Sequence, residues 1–321
     1  MSKLRVAVLR GGPSNEYDVS LKTGATVLKE LDREHYTPVD VFIDKTGTWH
    51  IDGLPGHVLD LRNHADVAWN ALHGVYGEDG NIQRELESIG MPYTGSGVLA
   101  SALAIHKGKA KELFARHGLV TPPWIALDAA HINDSVVRDI FRALSLPLIV
   151  KPMRGGSSIG ISIAHSFYEL YEALVQVSEH SSELLVESVV RGREATCGII
   201  DGFRGEEHYA LMPIEIVPLQ DERFFSYNAK YLGASQEICP GRFSSAEIAA
   251  IQEAARIAHR ALGARHYSRS DFIITSSGVS ILETNTLPGL TDTSLIPKSL
   301  EATGCSLPHF FDHIIKKALG R

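Results

Sequence analysis

Residues 271–286, DFIITSSGVSILETNT, set two carboxylates face to face. DFIIT and VSILE read as strands and SSG as the turn. Gly278 supplies the left-handed conformation that a three-residue hairpin loop needs at its last position. A hairpin centred on Ser277 pairs Thr275 with Val279, Ile273 with Ile281 and Asp271 with Glu283. Directly opposed side chains have Cβ atoms about 4.5–5.5 Å apart, and like charges there repel. The period of two puts Asn285 on the face of Glu283, and Arg269 on the face of Asp271. A hard divalent cation resolves the repulsion. Mg²⁺ takes oxygen ligands, keeps waters, and is held by one or two carboxylates plus substrate phosphates. The bland alternative is a solvated surface hairpin. Phe272, Ile274 and Leu282 on one face, with Ile273 and Ile281 on the other, argue against it, because a strand apolar on both faces is usually buried.

The 321 residues allow two or three domains. A hydrophobic content of 44% and a charged content of 21% are enough for a real core. The net charge of −7 gives no electrostatic case for nucleic acid or an anionic membrane surface. No apolar run approaches the ~20 residues of a membrane helix. The opening MSKLRVAVLRGG reads as a first strand rather than a signal peptide. Cys197, Cys239 and Cys305 suit neither a disulfide framework nor a zinc site, and a reducing cytoplasm fits them best.

Strands at 4–9 and 39–43, a helix over 19–31, and VAWNALHG followed by a helix in NIQRELESIG alternate as in a parallel, doubly wound sheet over about residues 1–95. RGGPSN is not GxGxxG, so a dinucleotide fingerprint is absent. The first boundary falls at PYTGSG. Beyond it, Ser101 reads as the N-cap of one helix, SALAIHKGKAKELFARHG. Leu103, Ala110 and Phe114 form its apolar stripe, and Lys107 lies on that stripe. A lysine there either snorkels to the surface or meets an anion in a cleft. PLIVKP is a strand ending in Lys151, and the glycine-rich RGGSSIG after it suits a phosphate clamp without the P-loop spacing. ELLVES and RGREATCGII are further strands. Ser244 and Glu247 form a capping box for a long helix that Gly263 stops.

The segments GGPSNEYDVS, LHGVYGEDGNIQ, PYTGSGVLASALAIHK, IVKPMRGGSSIG, NAKY, RSDF and ETNTLPGLTDTSL resemble, in order and spacing, the D-alanine–D-alanine ligases of the ATP-grasp superfamily. The likeness runs from about residue 5 to residue 308. It implies a mixed α/β and α+β fold. An N-terminal Rossmann-like domain (1–97) precedes a two-subdomain ATP-grasp fold, with a central part at 98–187 and a C-terminal part at 188–321. It implies ATP-dependent ligation of two D-alanines through an acyl phosphate, for peptidoglycan, by a cytoplasmic homodimer with no nucleic-acid or membrane partner.

The resemblance also assigns roles. Lys107, Lys151 and Lys230 would hold nucleotide phosphates, and Glu187 and Glu194 would contact adenine and ribose. Asp271, Glu283 and Asn285 would bind two Mg²⁺ or Mn²⁺ ions. Glu16, supported by Ser157 and Tyr231, would hold the ammonium of the first D-alanine, with His73 close by. Arg269 and the Gly289 N–H would stabilise the oxyanion, and Ser294 and Leu295 would receive the second D-alanine's carboxylate. Loops at 155–160 and 226–235 would close over the acyl phosphate. Gly155, His106, Ser270, Arg10, Tyr17 and the NAKY segment depart from the family's usual residues. They bear on substrate preference and turnover, not reaction class. The rivals are a ligase joining D-alanine to D-serine or D-lactate, and a non-catalytic ATP-binding regulatory homologue.

Overall fold

The apolar run after Lys3 becomes strand β1 (Leu4–Gly11), whose Val6, Ala7, Val8 and Leu9 are wholly buried. Helix α1 (Tyr17–Glu30) crosses to β2 (Tyr36–Ile43), which lies parallel to β1. Strands β3 (Trp49–Ile51) and β4 (Leu54–Gly56) then fold back antiparallel. Helix α2 (Leu61–His64) leads to β5 (Val67–Asn70), parallel to β1 on its other side, and α3 (Asn81–Ser88) follows. The order is β4-β3-β2-β1-β5. The sheet is therefore parallel only at its centre, not throughout as expected. Residues 44–48 and 52–53 are too few for crossovers, so those connections can only make hairpins. The computed structural model describes residues 3–156, 160–218 and 235–321.

The single helix expected from Ser101 is two helices, α4 (Val98–Ile105) and α5 (Lys107–Arg116). They break at His106, which is extended at φ −89°, ψ 93°. Ser101 lies inside α4 and caps nothing; its hydroxyl donates to the Ser96 carbonyl at 3.4 Å. The break has a tertiary cause. The Lys107 N–H donates to the Met153 carbonyl at 2.9 Å instead of back along α4.

The central sheet takes β6 (Trp124–Asp128), β7 (Leu148–Pro152), β8 (Ser162–Ala164) and β9 (Glu183–Ser188) in the antiparallel order β6-β9-β7-β8. Helices α6 (Asp134–Ala143) and α7 (Phe167–Ser178) cover one face, burying Val137, Ile140, Leu170 and Leu174 on Leu148, Val150, Leu184 and Val186.

The C-terminal sheet contains β10 (Arg193–Asp201), β11 (His208–Ala210), β12 (Ile214–Pro218), β13 (Ser235–Ile238), β14 (Tyr267–Thr275) and β15 (Gly278–Asn285). Its order is β13-β12-β10-β14-β15, with β11 beside β10. Helix α8 (Ser245–Leu262) has the expected capping box and a left-handed Gly263 at its end. It packs on this sheet through Ile251, Ala255, Ala258 and Leu262. Ala104 of α4, with Ala110 and Phe114 of α5, joins that same core, although α4 and α5 precede the central sheet in sequence.

Two further helices, α9 (Leu295–Ala302) and α10 (Leu307–Ala318), follow the hairpin. Phe310, Phe311, Ile314 and Ile315 of α10 bury against Val6, Val8 and Trp69 of the first sheet and Tyr267 of the last. The Trp69 and Phe311 rings cross edge to face at 4.8 Å. This helix is thus a clamp between the two ends of the chain. Truncation of the fully buried Phe311 in Phe311→Ala should lower unfolding free energy by about 3–5 kcal/mol. Urea denaturation checks this, and a loss well under 1 kcal/mol would show that the clamp is not anchored there.

Candidate active site

The β14–β15 hairpin pairs Arg269 with Asn285, Ser270 with Thr284 and Asp271 with Glu283. It then slips by one residue, pairing Phe272 with Ile281, Ile273 with Ser280, Ile274 with Val279 and Thr275 with Gly278. The turn holds two residues, Ser276 and Ser277, rather than three. Leu282 is the extra residue of a β-bulge. The shorter turn and the bulge each shift the register by one and cancel, so the opposed carboxylates remain. The bulge also redistributes the faces. Phe272, Ile274 and Ile281 enter the core under α8, while Ile273 and Leu282 stay half-buried.

Asp271 is nearly buried and firmly held. Arg269 donates Nε to Oδ1 and Nη2 to Oδ2, both at 3.0 Å. The Thr196 hydroxyl donates to Oδ1 at 2.6 Å, and Asn285 Nδ2 lies 3.4 Å from Oδ2. Arg269 balances one of the two opposed carboxylates and leaves Glu283 across the ladder. Two carboxylates and an amide oxygen form a hard donor set that fits Mg²⁺ or Mn²⁺. Glu194 shares the face of Thr196 on β10 by the period of two, between Ile216 and Ile273.

A second cluster lies between the central sheet and α5. Lys151 Nζ is 2.5 Å from Glu187 Oε1, and Lys111 Nζ is 2.9 Å from Oε2. All three side chains are buried, Lys111 completely. Burial alone would raise the Glu187 carboxyl, but Lys151 and Lys111 outweigh it and hold it at about 2. Burial lowers Lys111 against the pull of Glu187. Glu187, expected on adenine or ribose, engages both lysines here. The group ties α5 to the central sheet through one carboxylate. Lys107, at the start of α5, donates to the Gly155 carbonyl at 2.5 Å and so reaches the glycine-rich loop. Lys111 also feels the charge of Glu283, so the cationic and carboxylate walls adjoin.

The third group surrounds Glu16, immediately before α1. A Cβ added to Gly74 would come within 2.6 Å of Glu16 Oε2, and one on Gly156 within 3.2 Å. The carboxylate therefore fits between two glycines, one of them leading into the loop after β7. Glu78 accepts the Gly74 N–H at 2.8 Å. Burial, with the charge of Glu16, raises the Glu78 carboxyl above its usual range. His73 is buried, with Nε2 2.8 Å from the Thr23 hydroxyl. Burial, helped by the charge of Arg269, lowers its imidazole to about 4, so it is neutral near pH 7. Gly289 lies beside Ser294, whose Oγ would be 2.9 Å from an added Cβ. The Ser294 hydroxyl bonds Thr291 rather than capping α9. The first-turn amides of Leu295 and Ile296 thus have no capping side chain among the described residues, and such a helix start attracts carboxylates.

The structure brings together Glu16, His73, Lys107, Lys151, Glu187, Arg269, Asp271, Glu283 and Asn285, and sets Gly289 against Ser294. Ser157, Lys230 and Tyr231 lie outside the described residues, as does most of the second loop expected to close. Sequence reading missed Lys111, Glu78 and Thr196. Lys111 carried a signal, being four residues after Lys107 and three before the core residue Phe114. Glu78 sits in the quoted GEDG segment. Thr196 carried none, since only its place opposite Asp271 gives it a role.

A cleft with lysines on one wall and opposed carboxylates on the adjoining one, built on two antiparallel sheets behind a Rossmann-like domain, defines an ATP-grasp ligase. Residues 5–60 and 53–96 match the family model "D-ala D-ala ligase N-terminus", and residues 113–316 match "D-ala D-ala ligase C-terminus". The chain belongs to the D-alanine–D-alanine ligases, which form a peptide bond. It is 42% identical to the D-alanine–D-alanine ligase of Syntrophobacter fumaroxidans over 99% of this chain and 98% of the relative. It is 41% identical to that of Desulfotalea psychrophila, over 99% and 95%. Among solved structures, the VanG D-Ala:D-Ser ligase from Enterococcus faecalis superposes with a TM-score of 0.88 at 29% identity, covering 99% of this chain and 100% of that one. The D-alanine–D-alanine ligase from Bacillus anthracis complexed with ATP gives 0.82 at 31% identity, over 99% and 98%.

Glu187→Gln should leave two buried lysines without a counter-charge and cost about 3–5 kcal/mol of stability near pH 7. The depressed carboxyl stabilises the fold fully above about pH 4.5 and loses that contribution as the pH falls toward about 2. Denaturation across that window should show an acid limb in the parent that is reduced in the variant. Identical limbs would remove Glu187 from the account.

Proposed function

We propose that the protein uses ATP to join two D-alanine molecules into D-alanyl-D-alanine for peptidoglycan, as a cytoplasmic homodimer divided at about residues 97 and 187. The observation that carries this reading is the buried Lys111–Glu187–Lys151 group adjoining the opposed Asp271 and Glu283. Phosphoryl transfer needs positioning and charge neutralisation more than covalent help. Lys107 and Lys151 orient the phosphates, and Lys111 holds Glu187 from the α5 side. Glu187 fixes both cluster lysines and borders the adenine, and Glu194 lies toward the ribose. Lys230, outside the described residues, joins the phosphate lysines by family resemblance.

Asp271, Glu283 and Asn285 hold two Mg²⁺ or Mn²⁺ ions. When bound, such ions neutralise charge on the transferring phosphoryl group. Glu16 takes the ammonium of the first D-alanine, with Ser157 and Tyr231 in support. Glu78 is biased toward its neutral form, so the Glu16–Glu78 pair offers roughly one negative charge to one ammonium. Neutral His73 supports this end by bonding Thr23. ATP phosphorylates the first carboxylate, the amine of the second D-alanine attacks that carbonyl, and phosphate leaves. Arg269 and the Gly289 N–H face the developing oxyanion. A donor of this kind is typically worth about 2.7–4 kcal/mol. The second substrate's carboxylate sits at the start of α9, on Ser294 and Leu295.

An ATP-dependent phosphate-release assay across D-alanine, D-serine, D-lactate and L-alanine tests the substrate. D-alanine alone should give fast release with a dimeric ligation product, and silence with D-alanine would overturn the proposal. Glu283→Gln should abolish Mg²⁺-dependent release while the fold, followed by circular dichroism, persists. Near-parental turnover in that variant would refute the metal assignment.

A further inference from the structure

One end of the C-terminal sheet gathers three side chains that the ligase reaction does not use. Asp201 closes β10, His208 opens β11, and His259 lies in the last turn of α8. His208 Nδ1 is 2.8 Å from Asp201 Oδ1, and His259 Nε2 is 3.0 Å from the same oxygen. The three potential ligand atoms lie within 4.8 Å of one another. His259 is wholly buried, with its Nε2 turned to Asp201 Oδ1. Its other nitrogen, Nδ1, is fixed 2.7 Å from the Ser268 hydroxyl. Asp201 is oriented from behind as well. Its Oδ2 accepts the His266 N–H at 2.6 Å, and its backbone carbonyl lies 2.7 Å from His313 Nε2.

We propose that Asp201, His208 and His259 form a binding site for a divalent transition-metal ion of the zinc class. Two imidazoles and a carboxylate are its usual ligands, and three protein ligands leave a fourth position for water. With metal–ligand bonds of about 2.0–2.2 Å, tetrahedral ligand atoms stand roughly 3.3–3.6 Å apart, about half an ångström beyond the two nitrogen–oxygen distances here. Ser268 Oγ on His259 and the His266 amide on Asp201 are the outer contacts that such ligands require. The site opens toward solvent, since the Asp201 and His208 side chains keep 14% and 17% of their exposure. Glu207 stands 3.9 Å from His208 Nε2 and adds negative charge to that opening. One neighbouring guanidinium, Arg256, donates to the His208 carbonyl and pairs with Glu206 and Glu253. Asp201 is five residues along β10 from Thr196, or roughly 16–17 Å from the residue that holds Asp271. An ion here would staple β10 and β11 to α8 without entering the cleft.

The test uses full-length protein treated with chelator and then titrated with Zn²⁺ alone, without nucleotide or D-alanine. Asp271→Asn with Glu283→Gln serves as background, so that the cleft carboxylates do not compete. Calorimetry should report one equivalent of Zn²⁺ with a rise in melting temperature, and Co²⁺ in its place should give tetrahedral visible bands. Adding His208→Ala, at a partly exposed position, should weaken binding by at least about 10–100-fold and remove those bands, since even outer-contact losses have that size. Glu207→Gln should leave one equivalent bound. No stoichiometric Zn²⁺ in the background protein, or binding unchanged by His208→Ala, overturns the site. Either result would leave Asp201 as the acceptor of a hydrogen-bonded imidazole pair.

Discussion

Much of this architecture depends on one carboxylate, Glu187, placed between two lysines away from water. Removing each ion from water costs several kcal/mol, and only good pairing offsets it. The pairing is also a joint between layers. Lys111 comes from α5, whose Phe114 lies in the core under the C-terminal sheet, whereas Lys151 and Glu187 belong to the central sheet. The two layers therefore meet where the charge balance is most sensitive. A buried pair is weak evidence for stability in itself. A three-membered group joining α5 to the central sheet is better understood as fixing where Lys151 stands.

The same joint explains a lysine read only partly from sequence. The stripe Leu103, Ala110, Phe114 demands an explanation for a lysine among apolar residues, and it points to Lys107. In the structure the fully buried lysine is Lys111. Lys107 stands at a helix start because α4 and α5 separate at His106. No proline marks that break, and Gly108 lies two residues past it, inside α5 against Met153. The break comes from the Met153 carbonyl, which takes the Lys107 amide from another part of the chain. Local periodicity contains no trace of such a contact. By contrast, α8 was legible end to end, because the Ser244–Glu247 box, the apolar stripe and Gly263 are all local. The structure gives α10 Ser306 as its cap, Pro308 in its first turn, and Phe310, Phe311, Ile314 and Ile315 on its buried face. What those residues meet, the first sheet some 240 positions earlier at Trp69, was beyond any local pattern.

The hairpin shows how a correct site can rest on an incorrect turn. Asp271 and Glu283 are opposed as the alternation implied, yet Ile273 faces Ser280 and Thr275 faces Gly278. A bulge restores the register only beyond Leu282, on the site side of the strands. Bulges are common beside active sites because they re-aim side chains without ending the ladder. Here the slip sends Phe272 and Ile281 together into the core, while Asp271 and Glu283 stay opposite each other at the cleft.

Two like-charged carboxyl pairs face this cleft, and they are quieted differently. At Asp271 and Glu283 the device is Arg269, whose guanidinium keeps its charge at any pH the protein meets. At Glu16 and Glu78 it is a proton on Glu78, favoured by burial and by its neighbour. A folded-state carboxyl raised in this way stabilises the fold fully below the unfolded value of 4.5, and that contribution is lost as the pH rises through the raised value. The pair held by Arg269 is thus electrostatically fixed, while the pair at Glu16 gains negative charge as the medium becomes more alkaline. A cationic amine bound there gains attraction as the empty fold loses stability. The Glu16–Glu78 pair is therefore where pH acts on both cation attraction and folding, and with opposite sign.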